Sequence, residues 1–228
     1  MSDQISGAKA DVLLKQIWLD LDPLIKKITT HPYLDALEQK KAPKESLRLL
    51  ATQQYLIVTN GIRNIALMVS RFGHIPSKQT LNDFLQAELA VHEAVQRFAK
   101  AVGLSEQDLQ QAQILPGALM FSYYETFICL YGSDADLITA FFFDAQVWIS
   151  NARRVSKALQ TQYNFGQEDV TFFEMYANYQ PSEEAVLPSL EAALERGVPA
   201  HQIREAARLL LAYELSFWDA MAEAAEIA

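Results

Sequence analysis

Three carboxylates and a glutamine stand in this sequence where helical periodicity calls for apolar side chains. Over 44–72 the spacing Leu47, Leu50, Val58, Ile62, Ile65, Val69 marks one face of a helix, and Gln54 interrupts it. Over 78–103 the stripe Leu81, Phe84, Val91, Val95, Phe98, Val102 is broken by Glu88, with His92 one turn further along the same side. Asp144 and Asn151 break the run Leu137, Phe141, Trp148, Val155, Leu159, and Glu214 breaks Ile203, Ala207, Leu210, Phe217, Met221. An unpartnered ionised carboxylate in an apolar interior costs on the order of several kcal/mol. If these helices pack around a common axis, Glu88, His92, Asp144 and Glu214 line one internal cavity, the way bundles build sites from facing helices. The plainer reading puts each at a stripe edge, reaching solvent or an arginine. The chemistry on offer is proton transfer, with His92, whose ordinary pKa is about 6.5, as shuttle and Glu214 or Glu88 as its acid/base partner.

Other reactive types carry less. His31 and His74 sit at helix ends near Pro, and His201 in the first turn of a helix, all places for capping or solvated roles. The one cysteine, Cys129, lies in the apolar run YYETFICLYG, where a thiol fills space and its pKa rises. An aromatic cluster including Phe141, Phe142, Phe172 and Tyr176 is mostly core and also suits the wall of a pocket for a planar or acyl ligand.

The elements that must position these groups are helices throughout. Pro, Gly and polar caps divide the chain into about eight: 8–30, 44–72, 78–103, 105–131, 134–163, 168–179, 183–197 and 200–226. Short connectors, no internal repeat and no shift in composition imply an all-α single domain over 1–228. With 228 residues, 50% of them hydrophobic, the chain can bury a substantial core. The single cysteine excludes an internal disulfide framework. A net charge of −9 argues against nucleic acid as partner. No apolar run approaches the roughly 20 residues of a membrane span, and the start MSDQISGAKAD lacks the order of a secretion signal, so a cytoplasmic location is expected.

Four landmarks, in order, carry a family resemblance: HPYLDALEQKK, QQYLIV, a histidine in the segment 78–103, and AYELSFWDAM. With them the chain resembles the heme-oxygenase-like superfamily of thiaminase II, pyrroloquinoline-quinone synthase C and the chlamydial death-domain-associating protein. That resemblance implies a helical bundle with a central small-molecule pocket, commonly as a homo-oligomer. Glu214, Phe217 and Trp218 match the Glu-x-x-Phe-Trp pattern of thiaminase II, which puts Glu214 at its catalytic acid/base position. The nucleophilic cysteine of that family falls at Gln146, and its pyrimidine-binding aspartate at Gln54, so the covalent route to C–N cleavage lacks its nucleophile. Against the di-iron members, His92 and Asp144 fit. Leu85, Tyr176, Gln180 and Glu183 stand where ligands are expected, so a conventional di-iron site is not implied. The quinone-synthase type, which encloses a reactive substrate without a metal, survives these replacements best.

The resulting expectation is a small-molecule-binding protein, an oxidoreductase of the quinone-synthase or chlamydial type without a conventional di-iron site. Its pocket is lined by Gln54, Glu88, Asp144 and Tyr176 as ligand-binding residues, with His92 and Glu214 as catalytic ones. No metal ligand is assigned, and no cofactor is identified. The alternative is a non-catalytic ligand-binding or protein-interaction module that retains the bundle.

Overall fold

Punctuation by Pro and by capping side chains sets the element boundaries. In the computed structural model, which describes residues 2–227 and side chains from Lys9 to Ile227, ten α-helices and no strand are found among the described residues. They are α1 (Ser2–Thr29), α2 (Pro32–Glu38), α3 (Lys44–Phe72), α4 (Lys78–Ala101), α5 (Glu106–Gln110), α6 (Pro116–Tyr131), α7 (Asp134–Tyr163), α8 (Thr171–Ala177), α9 (Glu183–Glu195) and α10 (Ala200–Ala224). Ser105 and Ser133 each accept from the backbone N–H three residues on, and Asp108 and Asp136 reach back to the N-cap N–H, so reciprocal capping starts α5 and α7. Asn164 ends α7 in the left-handed conformation, at φ 59°.

Two expected boundaries are corrected. The segment HPYLDALE is a helix of its own, α2, entered by Pro32 with His31 as N-cap, whose Nδ1 accepts from the Tyr33 N–H at 3.2 Å. The expected helix 105–131 is two, because Pro116 has no N–H to continue a helix and instead opens α6. Gln53 stitches that break, donating to Gln113 O at 2.9 Å and accepting from Leu115 N at 3.0 Å.

Six helices close a ring. Going round it, α3 packs on α4, α4 on α8, α8 on α7, α7 on α10, α10 on α6, and α6 back on α3. Outside this ring α1 lies on α10, α9 and α7, and α2 lies on α7 and α10. Large side chains fully removed from water fill the space between layers, among them Tyr33, Phe98, Phe143, Phe172 and Trp218. Edge-to-face contacts of Trp148 with Phe172 and with Phe217 join α7, α8 and α10. Asp134 is fully buried at the start of α7 and bonds both Arg196 Nη2, at 2.5 Å, and the Ser77 hydroxyl. One carboxylate thereby ties the N-terminal ends of α4 and α7 to the end of α9.

Candidate functional site

Because each ring helix turns an apolar stripe inward, a polar side chain in that stripe must face the axis or be pushed aside. The ring encloses a cavity of about 360 Å³. From α3 it is lined by Gln54, Ile57, Val58 and Ile65, and from α4 by Phe84, Glu88 and Val91. Phe121 and Glu125 of α6, Phe141, Asp144 and Trp148 of α7, Tyr176 of α8 and Glu214 of α10 complete the wall. Five of the six expected site residues, Gln54, Glu88, Asp144, Tyr176 and Glu214, therefore meet at one cavity. The lining residues that are exposed to solvent, Asp83, Ala87, Tyr179, Ser182 and Ala185, mark its mouth between α4 and the α8–α9 connection. Thr80 Oγ1 bridges that mouth to Ala185 O at 3.4 Å.

His92 is the exception, and its expected place in the cavity is corrected. Four residues along a helix advance the side chain by about 40° beyond a full turn, which carries His92 off the cavity face. Its ring lies 5.5 Å from Tyr55 of α3, and Nδ1 lies 3.2 Å from Gln96 Nε2. Asn151 also leaves the cavity and donates to Ile28 O at 3.4 Å, pinning α1.

Sequence reasoning missed Glu125. It is 2% exposed, and its Oε1 has no hydrogen-bond partner among the described residues, nor has the neighbouring Asn64 Nδ2. Asn60 holds its helix in register, donating to Ser122 Oγ at 2.8 Å and Thr126 Oγ1 at 2.9 Å on either side of Glu125. A signal was available, since Glu125 is the sole charged residue in the sixteen of α6.

Four carboxyl groups on four helices thus share the cavity, and burial dominates each of them. Burial alone pushes Glu88 up to about 8. Glu125 rises well above the carboxylate range through burial and then the neighbouring Glu88 charge, with Asn64 opposing. Asp144, whose Oδ1 is also unpartnered, rises through burial and then the charges of Glu214 and Glu125. Glu214 is raised by burial and held back by the Trp218 indole, whose Nε1 donates to Oε1 at 2.7 Å. Trp218, one turn along α10, is therefore a positioning residue for Glu214. Gly61 positions Glu88, since a methyl built on it would lie 2.6 Å from Glu88 Oε1. Tyr176, ringed by the same carboxyls, has its phenol held neutral by burial first and their charges second. Carboxyl groups shifted upward in this way can hold a proton where an ordinary carboxylate has lost it.

The arrangement does not fit a di-iron centre. His92 stands outside the cavity, Gln180 and Glu183 are exposed, and Tyr176 offers a phenol. Among the described residues no group of three or more His, Cys, Asp or Glu side chains is spaced to hold a metal ion. A thiolate is likewise missing from the wall. Gln146 turns back to donate to Phe142 O at 3.3 Å, and the fully buried Cys129 has its thiol pushed up by burial.

The ring of helices around a central cavity defines a heme-oxygenase-like bundle, and solved structures agree. A TenA homologue from Pseudomonas syringae pv. tomato aligns with a TM-score of 0.77 at 15% identity, over 92% of both chains. A TenA homologue from Pyrococcus furiosus gives 0.69 at 17% identity, over 92% of this chain and 99% of that one. A domain of unknown function with a heme oxygenase-like fold from Shewanella denitrificans gives 0.63 at 15%, over 96% and 91%. Residues 18–224 match the model of the TENA/THI-4/PQQC family, and the chain belongs to that family. A comparison with curated protein sequences returns no match. Membership on this fold supports a small-molecule-related function, and no helix among the described residues is long and apolar enough to cross a membrane.

Proposed function

We propose that this protein binds a small organic molecule in the six-helix cavity and acts on it by proton transfer through buried carboxyl groups. Glu214 is the principal acid/base, held by Trp218, while Glu88 and Asp144 exchange protons with it or with the ligand. The observation that carries this reading is the convergence of Glu88, Glu125, Asp144 and Glu214 from four helices on one cavity. His92 serves outside the cavity, steadying α4 against Tyr55. Oxidation of an enclosed substrate by dioxygen, which takes up the electrons, is the reaction type expected from the quinone-synthase resemblance; the protein's part in it is enclosure and proton handling, and these residues suit both. The test is a thermal-shift screen of a metabolite collection against wild type and Ala145→Phe, which puts a ring where the cavity wall has a methyl. Stabilisation of wild type that disappears in Ala145→Phe supports the reading. Stabilisation equal in both contradicts it.

One observation favours the alternative of an interaction module. The outer face of α6 leaves Met120, Tyr123, Phe127, Leu130 and Tyr131 exposed, by 40% to 74%, at helical spacing. The expected homo-oligomer is proposed to form through this face. Sedimentation velocity of Phe127→Ser/Tyr131→Ser checks it, with a smaller species expected and an unchanged one excluding the face.

A further inference from the structure

We propose that Asp144 and Glu214 form an acid and base pair with one proton between them, Asp144 holding the proton and Glu214 the negative charge. The inference rests on the proton-transfer reading above and divides its two halves between named groups.

The helices set the two carboxyls level. Gln202 in the first turn of α10 donates to Asp136 Oδ2 in the first turn of α7 at 2.5 Å, and further along both helices the Trp148 and Trp218 rings lie 5.8 Å apart. α7 and α10 therefore run parallel. Asp144 precedes Trp148 by four residues and Glu214 precedes Trp218 by four, about one turn in each helix. Both carboxyls line the same cavity at that height.

Their partners differ. The Trp218 indole donates to Glu214 Oε1 at 2.7 Å, and such a donor favours the carboxylate over the acid. Asp144 Oδ1 is buried and has no hydrogen-bond partner among the described residues. Nothing in the wall neutralises a second charge beside Glu214, since no Lys, Arg or His lines the cavity. The other titratable groups facing the pair are Glu88 of α4, Glu125 of α6 and Tyr176 of α8, with Asp83 and Tyr179 at the mouth. α3 offers Gln54 there, and α1 and α2 reach no part of the wall. Two carboxyls placed in this way ionise one after the other, not together. Burial holds the proton on Asp144, and the charges of Glu214 and then Glu125 hold it further. The influence runs one way, because burial and the Trp218 donor account for the shift of Glu214. Glu214 ionises first and Asp144 second.

This assignment lets one ligand exchange two protons within the site. A ligand lying across the pair loses a proton to Glu214 at one atom and gains the Asp144 proton at another. The electron pair of the broken bond moves within the ligand to the newly protonated atom. Glu214 is then the acid and Asp144 the carboxylate. Passage of one proton from Glu214 to Asp144 restores the pair, and no oxidant or reductant enters.

The test is a pH titration of the unliganded protein by infrared difference spectroscopy and carbon NMR, with aspartate and glutamate carboxyls labelled in separate samples. Wild type, Glu214→Gln and Asp144→Asn are compared. Both substitutions keep the volume and remove a buried charge, so the fold is expected to hold. In wild type the Glu214 signal, missing from Glu214→Gln, is expected to ionise at lower pH than the Asp144 signal, missing from Asp144→Asn. Glu214→Gln is expected to lower the Asp144 transition by about one pH unit or more, a tenfold loss of proton affinity, whereas Asp144→Asn leaves the Glu214 transition in place. Carboxyls set apart from one another give no such one-way response. Asp144 ionising before Glu214, an Asp144 transition unmoved by Glu214→Gln, or equal shifts in both directions overturns the pair. If a variant fails to fold, wild type labelled at aspartate alone decides: one aspartate keeping its proton above neutral pH supports the inference, and none overturns it. Should the titrations come out as expected while no compound distinguishes wild type from Ala145→Phe in the thermal-shift screen, the small-molecule reading falls and the pair stands without it. Should a compound bind in the cavity and the two groups ionise in the other order, the reading stands and the pair falls.

Discussion

Replacing Glu88 by Gln removes a charge from the cavity wall without changing the shape of the side chain. In the unfolded chain this carboxyl ionises at its ordinary 4.5, and in the folded one at about 8, with burial as the cause. Below pH 4.5 both states hold the proton and the wild type suffers no penalty. As pH rises from 4.5 to 8 the unfolded chain gives up its proton while the fold retains it, so stability falls. Above 8 the loss is constant, and fully buried it amounts to ~5 kcal/mol. Glu88 keeps part of its surface open to the cavity, so solvent there screens the charge and roughly 2 kcal/mol is expected to remain. Glu88→Gln should therefore match wild type at pH 5 and exceed it by about 2 kcal/mol at pH 9, read from urea denaturation midpoints at the two pH values. A Gln variant less stable than wild type at pH 9 would mean that Glu88 has a cationic partner, and the argument from an unpaired acidic cavity would fail.

Further expectations follow from single contacts. Gly61→Ala gains up to about 1 kcal/mol of helix propensity and forces the Glu88 carboxyl to turn, so melting should hold while ligand affinity drops; unchanged affinity for a cavity ligand would detach Glu88 from the site. Trp218→Phe removes the indole donor to Glu214, and the titration of Glu214, followed by carbon NMR of labelled glutamate, should move upward; a downward move would refute the assigned role. Arg196→Ala strands the buried Asp134 carboxylate and should cost about 3 kcal/mol in denaturation, with a loss near zero showing that Ser77 and water suffice.

Most of the site was legible because α3, α4, α7 and α10 each carry a clean apolar stripe, so Gln54, Glu88, Asp144 and Glu214 stood out as interruptions. Glu125 was not, since α6 is apolar on its outer face as well, through Tyr123, Phe127 and Leu130, and leaves no one-sided stripe to interrupt. There the useful signal is isolation of charge, not periodicity. His92 was misplaced because i and i+4 share a side of a helix only to within about 40°; Phe84, Ala87 and Val91 line the cavity on one side of Glu88, and His92 is turned to the other. The short α2 escaped because His31-Pro32 reads equally as a break and as a cap with Pro at the first helical position. Trp218 and Gly61 act through contacts that the sequence does not spell out; the Glu-x-x-Phe-Trp landmark contains Trp218, but the indole-to-carboxylate hydrogen bond within it is visible only in the structure.

The most direct test of the central claim is a crystal structure of the protein with the tightest-binding compound of the thermal-shift screen. The account predicts that compound inside the six-helix ring, in hydrogen-bond contact with at least two of Glu88, Glu125, Asp144 and Glu214. A compound seated on the outer face of α6 or elsewhere on the surface, with those four carboxyls untouched, would contradict it.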